Sequence, residues 1–436
     1  MSSPRYQAPK GVHDILPDEH LYFTFIKKVV RHRCREAGFR RISTPIFENV
    51  EVFARGIGDS TDIVEKEMYT FETKGHDKVA LKPEGTAGVV RAYIEHAMHM
   101  LPQPVELYYI EPHFRYDRPQ KGRFRQFHQF GFEVIGEADP ALDAQVIYLA
   151  HKINQDLGVA DRLTLQINTI GCPECRKKYK EDLINYYTGK ERSLCQNCQG
   201  RLHRNPLRLL DCKEEDCVIL ASMAPKLENA IDAECKEHYT LLKEYLTELK
   251  VPFVENSHLV RGLDYYTRTV FEFWSKSEGA QNATGGGGRY DGMVELMGGQ
   301  PTPAIGYAAG MERTIDYMKE AGIRPPNKDG IHVFVAQLGH IAKKRSLTLL
   351  NNLRNMGINT VGSMGKDSIK SQMRVADRLQ AKYALIMGQI EVQEDTIILR
   401  DMTKGSQEIL PYNGIIDVVA EKIGVKKMDK KKLWEE

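Results

Sequence analysis

VELYYIEPHFRYDRPQKGRFRQFHQFGFEVIG, residues 105–136, is the stretch on which the fold turns. Two apolar, β-rich runs, 105–116 and 125–136, flank the polar segment DRPQKGRF, and this pattern predicts a long antiparallel hairpin with a charged, glycine-containing tip. Five cations, Arg115, Arg118, Lys121, Arg123 and Arg125, fall within eleven residues around that tip. A solvated turn is the plain explanation of such a run. Arg115, however, lies inside an apolar strand, where an unpaired Arg is rare. A guanidinium suits bidentate contact with phosphate oxygens, so a polyphosphate over the sheet is the sharper reading. On the second strand Gln129, Gly131 and Glu133 share one face, and His128, Phe130 and Phe132 the other. An amide and a carboxylate beside a glycine suit a small polar cation or amine, although such a pair is more often structural.

Outward from the hairpin, residues 17–38 read as a helix, with Pro and acids at its start and Gly at its end. RISTPIFE, 41–48, reads as a strand that Pro45 confines to an edge or bends. LKPEGTAGVVRAYIEH sets Glu84, Gly85 and Thr86 at a turn before a helix. A helix over 141–157 and a strand at LTLQINTIG follow. Residues 172 to about 256 are richer in charge and cysteine and interrupt the strand series, as an inserted domain does. Strands resume at HLVRGLDYYTRTVFEFW, which carries Arg261, Asp264, Tyr265 and Tyr266. The glycines 285–288 predict a turn that lets backbone approach a ligand or another backbone, and a helix is expected over 304–321. IRPPNKDG, 323–330, marks a linker. Beyond it a β-α-β-α-β pattern with two more strands and a last helix fills 331–425, before a basic tail, 426–436. The expectation is therefore an α+β unit over 1–325 that contains an antiparallel hairpin and an inserted domain, then a smaller α/β domain over 331–425.

The 436 residues, 42% hydrophobic and 28% charged, fit a globular chain of two or three domains. No apolar run approaches the roughly 20 residues needed to span a bilayer. The first nineteen residues lack an apolar signal region, so a cytoplasmic protein without membrane contact is expected. A net charge of +2 neither demands nor excludes nucleic acid. Of the eight cysteines, Cys172, Cys175, Cys195 and Cys198 form two C-x2-C pairs, the spacing of a four-thiolate zinc site. Reduced thiols in a metal-free insertion are the alternative. No phosphate-binding G-x-x-x-x-G-K-[ST] occurs, since GSMGKDS has the wrong spacing, and no G-x-G-x-x-G opens a helix in the first half. A nucleotide would need another scaffold, such as an antiparallel sheet.

RRISTPIFE, FRYDRPQKGRFRQFHQFGFE and AIGYAAGMERT resemble, in order, the three motifs that class II aminoacyl-tRNA synthetases carry on an antiparallel catalytic sheet flanked by helices: the dimer-interface motif, the strand-loop-strand that clamps ATP, and the third motif, with Gly306, Gly310, Glu312 and Arg313. LVRGLDYYTRTVFE and ATGGGGRYDGM resemble the two signatures of the histidyl family. The resemblance runs from about residue 11 to 417. It implies histidine activation by ATP and transfer to tRNA(His), by a homodimer that binds no DNA. It implies that Glu84, Thr86 and Gln129 hold the α-amino group of histidine with Gly85 in the same binding segment, and that Glu133 and Tyr266, with Tyr265 close by, face the imidazole, whose donor and acceptor point in fixed directions. It further implies that Arg115, Arg123, Glu312 and Arg313 bind ATP, with Arg115 on the α-phosphate, Arg123 and Arg313 on the outer phosphates and Mg²⁺ on the phosphates, and that the catalytic Arg261 sits near both the carboxylate and the α-phosphate. The C-terminal unit resembles the anticodon-binding domain, with Lys366, Lys370 and Arg374 as candidates for phosphate contact. Asp117 stands where the family usually has Glu, and EPHFR is less usual before the strand end. A histidine-binding regulatory paralogue that charges no tRNA is the main alternative; a synthetase of another specificity and a purely RNA-binding protein are the others.

Overall fold

The computed structural model describes residues 6–58, 61, 63–118, 122–210, 212, 214–227, 230–276, 283–326, 330–365 and 368–424. Lys121, Lys366 and the basic tail lie outside the described residues. Two compact units divide at Pro325–Pro326, inside the expected linker.

In the first unit, β1 (Arg40–Arg41), β5 (Val105–Phe114), β6 (Gln126–Ile135), β7 (Leu163–Thr169), β8 (Val254–Glu255), β9 (Thr267–Ser275), β10 (Ala283–Arg289) and β11 (Ala304–Gly310) form one sheet in the order β1-β5-β6-β11-β10-β9-β7-β8. Only its two short edge strands pair parallel. A small separate sheet holds β2 (Phe47–Asn49), β3 (Thr70–Glu72) and β4 (Lys78–Leu81). The hairpin pairs from Val105 opposite Ile135 to Phe114 opposite Gln126. Phe130, Phe132 and Val134 of β6 then enter one core, roofed by Pro17–Glu36, Pro140–Asp156, Ala233–Glu248 and Met311–Glu320. The first of these helices has Pro at its start, Asp18 and Glu19 in its first turn and Arg33 and Arg35 in its last, which suits the helix dipole. Its apolar stripe, Phe23, Ile26, Val30 and Cys34, is buried at helical spacing. The opposite face of β6, bearing Gln129, Gly131 and Glu133, is left for the site.

Three expectations change. RISTPIFE is not one strand: β1 stops at Arg41, the chain turns through Pro45, which has no N–H to give a ladder, and Phe47 enters the small sheet. The glycines 285–288 are not a turn but the body of β10, flanked by β9 and β11. A Cβ at Gly287 would overlap the Gly306 carbonyl, so here glycine allows unusually close strands. Residues 304–310 are strand β11 and not the start of the helix, which begins at Met311. The 172–256 segment also divides. Helices Pro173–Tyr187, Gln196–Arg204 and Glu215–Ser222 share a core of Tyr179, Leu183, Leu202, Cys198 and Cys217. Ala233–Glu248 instead buries Leu242 and Leu246 in the core of the large sheet.

The second unit is a five-stranded sheet, β13 (Thr360–Gly362), β12 (Val333–Gln337), β14 (Tyr383–Met387), β15 (Thr396–Asp401) and β16 (Gln407–Pro411), in that spatial order. The first three strands are parallel and the last two antiparallel. Helices His340–Asn355 and Ile369–Arg378 make the crossovers, and Ile415–Ile423 closes the unit.

Candidate active site

The site-facing side of β6 meets the start of helix Thr86–Glu95. Glu84, just before it, accepts from the Thr86 and Ala87 backbone N–H groups at 2.8 and 2.7 Å. A carboxylate there satisfies orphan donors and complements the dipole. Burial nevertheless pushes its pKa above the ordinary carboxylate range, outweighing those hydrogen bonds. Glu133 is fully buried. Its carboxylate accepts from Thr86 Oγ1 at 2.8 Å, Tyr109 OH at 3.3 Å and Tyr290 OH at 2.6 Å. Burial dominates again: the Glu133 carboxyl is pushed up to about 8 despite the three donors. Across the ladder stands Gly306, where a Cβ would overlap the Glu133 carboxylate. Tyr290 is 5.7 Å, edge to face, from Tyr265, whose ring is 4.5 Å from that of Tyr266. Four phenols therefore line up with one carboxylate. Burial raises the pKa of each, so all remain neutral donors near pH 7. The Gln129 Oε1 atom is buried without a hydrogen-bond partner, a position that a ligand amine satisfies.

Gln129 also lines a cleft of about 450 Å³ with Arg115, Arg123, Arg208, Arg261 and Arg313. Arg115 donates to the Pro83 carbonyl at 2.8 Å and lies 5.4 Å over the Phe127 ring. Arg123 pairs with Asp117 at 2.8 Å, so the shorter carboxylate at this position does reach a partner. Arg313 donates to the Gly122 and Ala283 carbonyls at 3.2 and 2.7 Å. Arg261 pairs with Glu272, which Trp274 Nε1 also bonds at 2.6 Å, and sits 5.6 Å over Tyr266. Gly286 makes room for it, since a Cβ there would lie 2.5 Å from Arg261 Nη1. Glu312 is committed to His128, accepting from its backbone N–H at 2.9 Å and contacting Nδ1 at 2.9 Å, although it also lines the cleft. A guanidinium has five N–H donors, more than the acceptors named here for Arg115, Arg123 and Arg261, so these three can also donate to anionic oxygens.

The expected residues Glu84, Gly85, Thr86, Gln129, Glu133, Tyr265 and Tyr266 thus gather beside the arginine cleft. Sequence reasoning missed Tyr109, Tyr290 and Arg208. Tyr109 could have been found from the hairpin register, which sets it opposite Gly131, and Tyr290 stands within ATGGGGRYDGM. Arg208 comes from the insertion and carried no signal. The four expected zinc ligands do not meet. Cys195 and Cys198 group with Cys212 and Cys217, whereas Cys172 and Cys175 group with Asp232 and Cys235. Each C-x2-C pair opens a different helix, which carries the two pairs apart.

An antiparallel sheet with an arginine-lined hairpin and a following strand-helix motif is the catalytic architecture of a class II aminoacyl-tRNA synthetase. The family model for histidyl-tRNA synthetase matches residues 11–314, and that for an anticodon binding domain matches 332–422. Histidine–tRNA ligase of Dehalococcoides mccartyi is 48% identical over 418 residues, covering 96% of this chain and all of that one. That of Desulforamulus reducens is 47% identical over 400 residues, covering 92% and 95%. The crystal structure of apo S. aureus histidyl-tRNA synthetase superposes with a TM-score of 0.80 at 36% identity, covering 95% of this chain and 99% of that one. The chain belongs to the histidyl-tRNA synthetase family.

Proposed function

We propose that this chain activates L-histidine with ATP and transfers the histidyl group to the 3′ end of tRNA(His), as an ATP-dependent histidine–tRNA ligase. The carrying observation is the juxtaposition on one sheet face of a buried carboxylate ringed by phenols and a cleft lined by five arginines. Glu133 with Tyr266 reads the imidazole, and Tyr109 and Tyr290 fix the carboxylate that does so. A pocket built on such hydrogen bonds rejects apolar isosteres, because its polar groups would be left unpaired. Glu84, Thr86 and the open Gln129 oxygen take the α-amino group.

ATP enters as its Mg²⁺ complex, with Arg115 on the α-phosphate and Arg123 and Arg313 on the outer phosphates. The histidine carboxylate attacks the α-phosphorus, forming the acyl–phosphate bond as the bond to the bridging oxygen breaks and pyrophosphate leaves. Arg261 neutralises charge shared between carboxylate and phosphate. No general base is needed, so positioning and electrostatics carry the rate. A terminal ribose hydroxyl then attacks the histidyl carbonyl and AMP departs. The exposed Ile46, Phe47 and Phe71 of the small sheet and its approach loop support a homodimer through the first motif. Among the described residues no helix is long and apolar enough to cross a membrane; a cytoplasmic site of action follows from the proposed activity. The regulatory alternative is disfavoured by the arginines gathered in one cleft and by the C-terminal unit matched over 332–422. Incubation of total tRNA with labelled histidine and ATP tests the proposal. Charging of one tRNA species is expected, and histidine binding without charging would overturn it in favour of the regulatory alternative.

A further inference from the structure

Seven of the eight cysteines lie in or at the roots of the insertion, and they fall into two groups. In each group the four candidate ligand atoms lie within 4.8 Å of one another. We propose that the insertion is a two-metal module, with one zinc held by Cys195, Cys198, Cys212 and Cys217 and a second by Cys172, Cys175, Asp232 and Cys235.

Distances favour the reading. Tetrahedral zinc with thiolates at about 2.3 Å sets neighbouring sulfurs about 3.8 Å apart, and a carboxylate oxygen at about 2.0 Å lies about 3.5 Å from each sulfur. The Cys195 and Cys212 sulfurs are 3.8 Å apart, and those of Cys172 and Cys175 are 3.5 Å apart. Asp232 Oδ2 lies 3.3 and 3.2 Å from the Cys172 and Cys175 sulfurs. Both groups are already arranged around a centre, without any disulfide: all eight cysteines are free.

The second group is built from two helix starts facing each other. Cys172 caps Pro173–Tyr187 and Cys175 lies three residues on; Asp232 caps Ala233–Glu248 and Cys235 lies three residues on. Backbone N–H groups already point at the sulfurs, Asp232 N to Cys175 Sγ at 3.1 Å and Cys175 N to Cys172 Sγ at 3.4 Å. The first group repeats this, with Cys195 N donating to Cys217 Sγ at 3.3 Å. Such donors stabilise metal-bound thiolates and orient them. The carboxylate in the second group makes it a harder site than the four-thiolate one, and zinc accepts both ligand sets.

The placement gives the two ions different work. Cys172 and Cys175 lie where the chain leaves β7, and Asp232 and Cys235 where it returns. An ion there closes the neck of the insertion. Next to Cys175, Arg176 donates to the Tyr266 carbonyl at 2.6 Å and the Asp264 carbonyl at 3.3 Å, holding the loop that carries the pocket tyrosines. The four-thiolate ion lies inside the insertion, with Cys198 and Cys217 buried in its core, and braces the segment that presents Arg208 to the cleft.

The test is metal analysis of the full-length protein, purified without a metal-affinity tag and under reducing conditions. Two zinc ions per chain are expected. Cys212→Ser and Asp232→Ala should each leave one, the double variant none, and Asp232→Ala should also raise the KM for histidine more than it lowers kcat. One or no zinc per chain after zinc supplementation, or two variants that empty the same single site, overturns the proposal. Cobalt(II) replacement in the wild type covers variants that do not fold. Two equivalents with thiolate charge-transfer bands support the assignment; fewer, or disulfides found on thiol counting, refute it.

Discussion

Replacing Glu133 with Gln separates what this carboxylate does for the fold from what it does for the ligand. The carboxyl is fully buried and is raised from the ordinary 4.5 to about 8. Below about pH 4.5 it is protonated in both folded and unfolded chains and has no effect on stability. As pH rises from there the unfolded chain ionises first, so the folded state loses stability until pH passes about 8, where the loss levels off. At about 1.4 kcal/mol for each pH unit, the loss is on the order of 3 kcal/mol at pH 7 and 5 kcal/mol above pH 8. Glu133→Gln removes the ionisation and should melt higher than wild type, by a margin that widens from pH 5 to pH 8.5. At pH 8.5, where most of the wild-type carboxyl is ionised, the same variant lacks the charged acceptor for imidazole, and hydrogen bonds to charged groups contribute about 1.5–3 kcal/mol, so histidine should bind roughly 10–150-fold more weakly there, with a smaller difference at pH 7. Thermal melts across pH, read beside histidine titrations, check both halves. Parallel melting curves for the two proteins would refute the reasoning, because they would mean that the three donors keep Glu133 ionised as in water.

Other perturbations follow from single distances. Gly306→Ala drives a methyl into the Glu133 carboxylate, so histidine binding should be lost while the overpacked core loses about 1–3 kcal/mol, read by titration and denaturant melts. Arg261→Gln leaves Glu272 facing the cleft and removes charge neutralisation at the reacting atoms; kcat for pyrophosphate exchange should fall about 10²–10³-fold, with a smaller change in histidine affinity. Asp143→Ala leaves the fully buried Arg289 with only Asp291 and the Glu137 and Asp139 carbonyls, each at 3.1 Å, and takes a partner from His238; it should cost on the order of 3 kcal/mol in equilibrium unfolding. Tyr290→Phe deletes the 2.6 Å bond to Glu133 and should raise the KM for histidine several-fold with little change in that for ATP.

The hairpin and the C-terminal alternation were legible because their signals are local: apolar runs of strand length, punctuated by polar turns. The period-two face of Gln129, Gly131 and Glu133 was legible for the same reason, and it carries the site. What escaped depends on partners distant in sequence. Four glycines in a row have no local strand signal, and only the nearness of the Gly306 backbone explains β10. AIGYAAG reads helical from its alanines until one sees it seated between β6 and β10. The cysteine spacing suggested one four-thiolate group where the helices gather two separate candidate groups, since a C-x2-C pair fixes where two ligands stand but not which others meet them. The roles of Arg115, Arg123, Arg261, Glu312 and Arg313 came from resemblance; their gathering in one cleft came from the fold.

The most direct measurement is ATP–pyrophosphate exchange with each of the twenty amino acids in turn. The account predicts exchange with L-histidine alone, abolished or reduced at least 100-fold in Arg261→Gln. Exchange driven by another amino acid, or none with histidine while it binds, would contradict the reading of the Glu133 pocket and its arginine cleft as a working histidine-activating site.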